Sequence, residues 1–510
     1  MRENTKNIVK AVSFALIPLA ICVIYAALQG VMLWEIDNYA VNLPQYNDGI
    51  FYVKHIEAMV NYGMPQGYFG YNESQAAIGT LGSWPIFVFV PYVIIGKIIG
   101  FSATHMMWIN LFFVTAACFA FYYMAKPNLK QSIILFLFML CVPIVPRYIL
   151  SCMVEPLFYA ADILFAGFFV YFSRADYGRK SLIAAYILAV FFALCRPYML
   201  IFVLIPAFYH FKISKIESVA AFVMSVGLFA TVYLFYVMPR CAAYSEQTLE
   251  TDMFYIIKDK GIIAFLFRFI YKFLIDLKSL IFECIPSFTE VFVLYISVAV
   301  ILMALVLFVI GKIKQTKTFN DAGIIAAGGT IFISAAVIFA LIALYVEYTS
   351  ARHIAVLIVF ASVISAMYMI DYKKMTVAVI MLLAIISYGN IHKMDNIYVL
   401  PTSEDPFSVM PNEIDAKKLK DVFDKEPSEN LWENTVVFEY NNQNMNYMYF
   451  LPEYVGISIS DKQYITENAD KLKSKYVLVM NDPKYIEIFE NSGYMAKILS
   501  DDFMLYEKKA

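Results

Sequence analysis

Charged residues are scarce, at 16% of the 510 positions, where an ordinary soluble domain carries about a quarter. A net charge of −2 leaves no basic footprint for nucleic acid, so none is expected as a partner. Cysteine is sparse too. Cys22, Cys118, Cys141, Cys152, Cys195, Cys241 and Cys284 fall in or beside apolar segments, and residues 391–510 have none. That excludes a disulfide framework and a zinc-ligand spacing. The same C-terminal stretch lacks a glycine-rich phosphate loop, a nucleophile elbow and a metal motif, which leaves binding or docking as its simplest role.

What the chain has in excess is apolar surface: 61% of its residues are hydrophobic and the mean hydropathy is +0.66. Apolar segments recur at 11–33, 85–100, 105–125, 131–146, 153–173, 181–195, 198–211, 217–238, 289–311, 322–345, 352–370 and 375–390. Most are long enough to cross about 30 Å of hydrocarbon. The first follows Arg2, Lys6 and Lys10 but has no small-residue cleavage site, so it reads as a retained span rather than a signal peptide. Short loops collect Arg174, Arg179 and Lys180, then Lys212 and Lys215, Lys312, Lys314 and Lys317, and Lys373 and Lys374. The positive-inside rule places these loops and the N-terminus in the cytoplasm. Glu35, Asp37, Asp48, Glu57 and Glu73 lie on the opposite side, with a tail in which 21 acidic residues outnumber 13 basic ones. An inside N-terminus and an outside tail require an odd number of crossings, so one of the twelve segments does not span.

The expected fold is an all-α polytopic membrane bundle of about 11–13 spans with a small C-terminal α/β extracytoplasmic domain. The bundle occupies 1–390, with outer loops at 34–84 and 240–286, and the outer domain 391–510. Arg268, Lys272, Asp276 and Lys278 interrupt the apolar pattern of the second loop, which suits a helix lying in the interface. In the tail, NTVVFEY and KYVLVM read as buried strands, with amphipathic helices near 462–473 and 483–491.

Three groups of residues carry the chemistry. In the first outer loop, a helix beginning near Asp48 puts Asp48, Tyr52 and His55 on one face, although Asp48 also suits an N-cap. Glu155, Tyr159 and Asp162 repeat that spacing at the start of a span, where ionisable groups are costly unless paired or facing a wet cavity. Arg147 or Arg196 could supply the partner. Arg196 and Arg352 are fixed guanidinium charges suited to phosphate, or equally to ion pairs with acids such as Asp162 and Glu347. Trp84 ends an aromatic run with Tyr62, Tyr68, Phe69 and Tyr71, suited to an interfacial belt or to stacking on sugars. Asn72-Glu73-Ser74 matches a glycosylation acceptor and is given no role.

Asp48 soon after a first span, Glu155 at the outer start of a middle span, Leu194-Cys195-Arg196-Pro197 and a late Arg352 together resemble the polytopic glycosyltransferases of the C-type fold (GT-C). The pattern is most similar to bacterial relatives of the protein-mannosyltransferase and aminoarabinose-transferase group. The middle acid is Glu rather than Asp, and the first loop has no Asp-Asp pair. The resemblance implies a polyprenyl-phosphate sugar donor held in the bilayer and a lipid, glycan or protein acceptor. It makes Asp48 the base, with His55 orienting it, and gives Arg352 and Arg196 the leaving phosphate. Glu155 then positions the acceptor or, in some branches, a divalent metal. Tyr52, Tyr159, Asp162 and Trp84 line the substrate path. A transporter or flippase of lipid-linked sugars and a non-enzymatic envelope-assembly protein are the alternatives, though no internal repeat of the transporter kind is visible.

The topology is testable without an activity assay. Cysteine introduced as Ser74→Cys or Ser403→Cys is expected to react with an impermeant thiol reagent in intact cells. Labelling only after lysis overturns the orientation.

Overall fold

The computed structural model describes residues 2–28, 32–33, 47–63, 65, 68–73, 85–140, 142, 144–174, 177–240, 252–282, 413–423, 431–439 and 446–509, with scattered positions between 329 and 381. Arg352, Trp84 and nearly all of the four apolar segments from 289 to 390 lie outside the described residues.

The described residues up to 282 hold twelve α-helices. They are α1 (Arg2–Ala15), α2 (Ile17–Leu28), α3 (Asn47–Asn61), α4 (Val90–Ile99), α5 (Ala103–Ala125) and α6 (Leu129–Leu140), followed by α7 (Ile144–Ile149), α8 (Glu155–Arg174), α9 (Arg179–Cys195), α10 (Leu204–Phe211), α11 (Lys215–Val232) and α12 (Asp252–Phe282). Four stretches among the described residues are long and apolar enough to cross a membrane: Thr5–Leu28, Ala103–Ala125, Glu155–Ser173 and Lys215–Arg240. Glu155–Ser173 is the most buried of these and Lys215–Arg240 the least. On α11, Ile216, Val219 and Val223 follow an i, i+3, i+7 stripe and are all exposed. Such a surface would be untenable in water and is ordinary against lipid.

The centre of the bundle is the pair α5 and α8. They meet closely at Gly167, where a Cβ would press on the end of the Met124 side chain and on Phe121 Cδ2 at 3.2 Å. Small residues that let backbones close up are the usual means of packing helices in lipid, where apolar burial gives no driving force. In α12, Gly261 at φ 83° breaks the helix near its first third, which divides the mixed-charge segment into two parts.

The C-terminal sheet has six strands in the order β1-β3-β2-β4-β6-β5. These are β1 (Tyr68–Tyr71), β2 (Thr435–Glu439), β3 (Gly456–Ser460), β4 (Tyr476–Met480), β5 (Tyr494–Leu499) and β6 (Phe503–Lys508). β1 to β4 pair in parallel; β6 runs antiparallel to β4 and to β5. Alternation along β2 sends Val436 and Phe438 to one face and Val437 to the other. Both faces are covered. One packs against Leu419 and Phe423 of the helix Glu413–Phe423, the other against Tyr485 and Phe489 of the helix Lys484–Asn491.

This sheet is not built from residues 391–510 alone. Its first strand comes from the outer loop, where Tyr68 pairs with Ile457 and Tyr71 with Ile459. Immediately after β1, Asn72 and Glu73 both take positive φ, 56° and 52°. Each such residue costs roughly 1–2 kcal/mol without glycine's freedom. The turn is held by Asn72 N–H donating to Ile459 O at 2.9 Å and by the buried Glu73 carboxylate. That carboxylate accepts from Lys473 N–H and Ser474 N–H, both at 2.8 Å, and from the Ser474 hydroxyl. Glu73 therefore has a structural task that its sequence motif did not reveal.

Glu73→Ala should strand two backbone donors and cost about 1–3 kcal/mol per buried group left unmet. The expected readout is faster hydrogen exchange in β1 and β3, with the α5 and α8 amides unchanged. Unaltered exchange in β1 would remove Glu73 as the clamp.

Candidate functional site

The site is assembled where α3, α4, α5, α8 and α9 meet. The residue before a proline is pushed to extended backbone, and Arg196 before Pro197 has φ −146° and ψ 119°. The break between α9 and the 3-10 helix Pro197–Val203 therefore turns the Arg196 side chain inward. Its guanidinium pairs with Glu155, donates to the Tyr198 hydroxyl at 3.1 Å and lies 4.3 Å from the Phe158 ring centroid.

Glu155 opens α8, where a carboxylate is favoured by the positive end of the helix dipole. The turn in front of it is fixed by Asn110 of α5. That amide donates to Ser151 O at 3.0 Å and Met153 O at 2.9 Å, and accepts from the Tyr92 hydroxyl at 2.7 Å. A lone Asn inside an otherwise apolar span is the sequence signal that could have marked this post.

The stripe expected on α8 is present. Glu155, Tyr159 and Asp162 are each fully buried on one face. Arg196 takes Glu155 as its partner and not Asp162. Glu155 Oε2, the Tyr159 hydroxyl and both Asp162 carboxylate oxygens have no hydrogen-bond partner among the described residues. Polar atoms so placed each cost about 1–3 kcal/mol, and a carboxyl in a span costs more. A row of unmet polar atoms in an apolar bundle is a place where substrate hydroxyls would be stabilised.

On α3, Tyr52 and His55 are buried against Phe89, with ring centroids 5.8 and 5.5 Å away. Tyr52 belongs to the same packed core as Phe158 and Tyr159 of α8. Asp48 stands in the first turn of α3, one position inside the helix and one turn before Tyr52; its side chain lies outside the described residues. The opposite side of α3 is tied to the C-terminal domain. The buried Lys54 ammonium donates to Leu451 O at 2.7 Å and to Glu57 Oε2 at 3.1 Å, and lies 5.5 Å from the Tyr449 ring centroid. Burial pushes the Glu57 carboxyl above the usual range, opposed by Lys54 and reinforced by Glu453. Asn61 donates to Glu453 at 3.1 Å. Among the described residues, no three His, Cys, Asp or Glu side chains converge as a metal-ion cage.

No family model matches the chain, and no curated protein does. Among solved structures, it is similar to ArnT from Cupriavidus metallidurans, bound to undecaprenyl phosphate and in the apo state. Each comparison gives 10% identity, covers 97% of both chains and has a TM-score of 0.42.

Breaking a buried ion pair by removing one partner costs about 3–5 kcal/mol, because the other charge is left behind. Arg196→Met is expected to lower the apparent unfolding temperature in detergent sharply, and Arg196→Met with Glu155→Met to restore most of it. Additive losses in the double variant would show that the two side chains do not act as a pair.

Proposed function

We propose that this chain is a membrane glycosyltransferase that moves a sugar from a polyprenyl-phosphate donor to an acceptor hydroxyl at the outer face of the membrane. The observation that carries the reading is the convergence at one buried polar cluster. Glu155 and Arg196, both elements of the resemblance, form an ion pair beside unmet polar atoms on α8, and Tyr52, on the helix bearing Asp48, packs in the same core.

In this reading the Asp48 carboxylate takes the proton of the acceptor hydroxyl as its oxygen attacks the anomeric carbon. The bond from that carbon to the phosphate oxygen breaks, and its electron pair leaves with the polyprenyl phosphate. A fixed cation is needed for the developing charge. Arg196 is already largely neutralised by Glu155, so that task falls chiefly to Arg352, with Arg196 and Glu155 acting as a positioning pair. Tyr159 and Asp162 offer hydrogen bonds to sugar hydroxyls, and His55 packs beside Tyr52 on α3. Trp84 would stack on a sugar face. No step is assigned to a metal. The natural setting for such a transfer is synthesis of a cell-envelope glycan or glycolipid, with the C-terminal domain outside the cell.

A second reading, a flippase or transporter of lipid-linked sugars, draws on Asp162. A fully buried carboxyl in a span, unpartnered among the described residues, is what a polar path through a bilayer would use.

Purified protein incubated with radiolabelled polyprenyl-phosphate sugars and membrane lipids is expected to transfer label. Asp48→Asn should lower turnover by about 10²–10⁴-fold while donor binding survives. Arg352→Ala should weaken donor binding and turnover together. Normal transfer by Asp48→Asn would remove Asp48 from the mechanism; donor translocation without transfer would favour the second reading.

A further inference from the structure

The C-terminal domain is acidic as a whole, yet four of its thirteen lysines gather at one end of its sheet. There a cavity of about 380 Å³ is lined by Trp432, Lys473, Lys475, Met495, Lys508 and Lys509, with Glu433 and Glu507 also at its wall. That volume falls at the small end of ligand clefts. We infer that this groove binds an acidic saccharide, with the sugar face laid on the Trp432 indole and its carboxylate or phosphate held by Lys473 and Lys509, since Lys475 pairs with Glu507 and the Lys508 ammonium donates to Leu472 O at 2.6 Å.

The floor of the groove is built rather than incidental. Lys475 N–H donates to Trp432 O at 2.9 Å and Lys508 N–H to Lys475 O at 2.8 Å, so three lining residues share one backbone network. Lys473 is fixed through its own N–H by the Glu73 clamp, and its ammonium stands 5.2 Å from the indole centroid. The ammonium lies over the indole, so a sugar ring stacked there takes its place and meets it at the ring's edge, where it pairs with the charged substituent. The Glu507 carboxylate is neutralised by Lys475 at 3.2 Å and Lys497 at 2.9 Å, so it does not repel an anion as a free carboxylate would. Trp432 is half-buried, which leaves one part of the indole packed and another facing the groove. The surface is concave, which suits a saccharide unit better than the plane of a bilayer. The inference stands whether or not the bundle transfers sugar, because no residue of the α8 cluster takes part in it.

The test is calorimetric titration of full-length protein in neutral detergent with trigalacturonate and with glucose 1-phosphate, against maltotriose and inorganic phosphate. At least one acidic saccharide is expected to bind more tightly than both controls, and to weaken as salt is raised. The tighter of the two identifies the source, a carboxylated glycan or a phosphorylated sugar. Trp432→Ala and Lys473→Ala should each weaken binding about ten-fold, whereas Trp432→Phe, which keeps a ring, should retain most of it. Retention by Trp432→Phe separates loss of stacking from loss of fold. The inference is overturned if neither acidic saccharide binds, if Trp432→Ala binds like the native chain, or if inorganic phosphate binds as tightly as either saccharide.

Discussion

Helix α3 has almost no face turned to solvent, and the relation between the two halves of the molecule depends on that. Ile50 and Phe51 belong to the core of the C-terminal sheet, while Tyr52, Val53, Ile56 and Met59 belong to the core of the bundle. Its polar residues Lys54 and His55 are buried along with the apolar ones, because each half of the molecule covers one side of it. Here a single helix closes two cores at once. Lys54 then supplies a directional contact between them, because its hydrogen bond to Leu451 O is satisfied only when sheet and bundle hold one separation. The candidate base stands on this shared helix, so the geometry around Asp48 is set from both sides.

The second constraint is the cost of polarity inside an apolar bundle. Glu155 and Arg196 offset one another, Asn110 satisfies the turn before α8, and Phe158 covers the guanidinium. On α8 itself, the unmet atoms of Glu155, Tyr159 and Asp162 share the face that carries the pair. A bundle evolved only for stability would replace these groups with aliphatic side chains at little loss. Their presence at that cost is the physical content of calling this cluster a site.

Much of this was legible in the chain and some was not, for definite reasons. The stripe Glu155, Tyr159 and Asp162 and the break at Arg196-Pro197 depend on local periodicity and on proline stereochemistry, which a sequence carries directly. Strands β2 and β4 were readable because both are continuous apolar runs. β3 was not, since GISIS alternates serine with isoleucine and yet is buried on both faces. The edge strand β1, YFGY, resembles an aromatic surface run until its partner is known. Which cation meets Glu155 was an open choice between Arg147 and Arg196, and only packing settles it. Lys54 and Glu73 were invisible as contacts because their partners lie near the far end of the chain.

That distance has a consequence for assembly. Glu73 and Lys473 are 400 residues apart, which at ribosomal speed separates their synthesis by roughly 20–80 s. Through that interval β1 has no strand to join, and its open edge is of the kind that other chains can pair with. The C-terminal domain therefore cannot complete its sheet as an autonomous event. Its closing step recruits a segment made at the beginning, after the intervening helices have been threaded into lipid. Non-local pairing of this sort is slow to nucleate. The vulnerable species is the inserted bundle whose first loop still waits for its sheet.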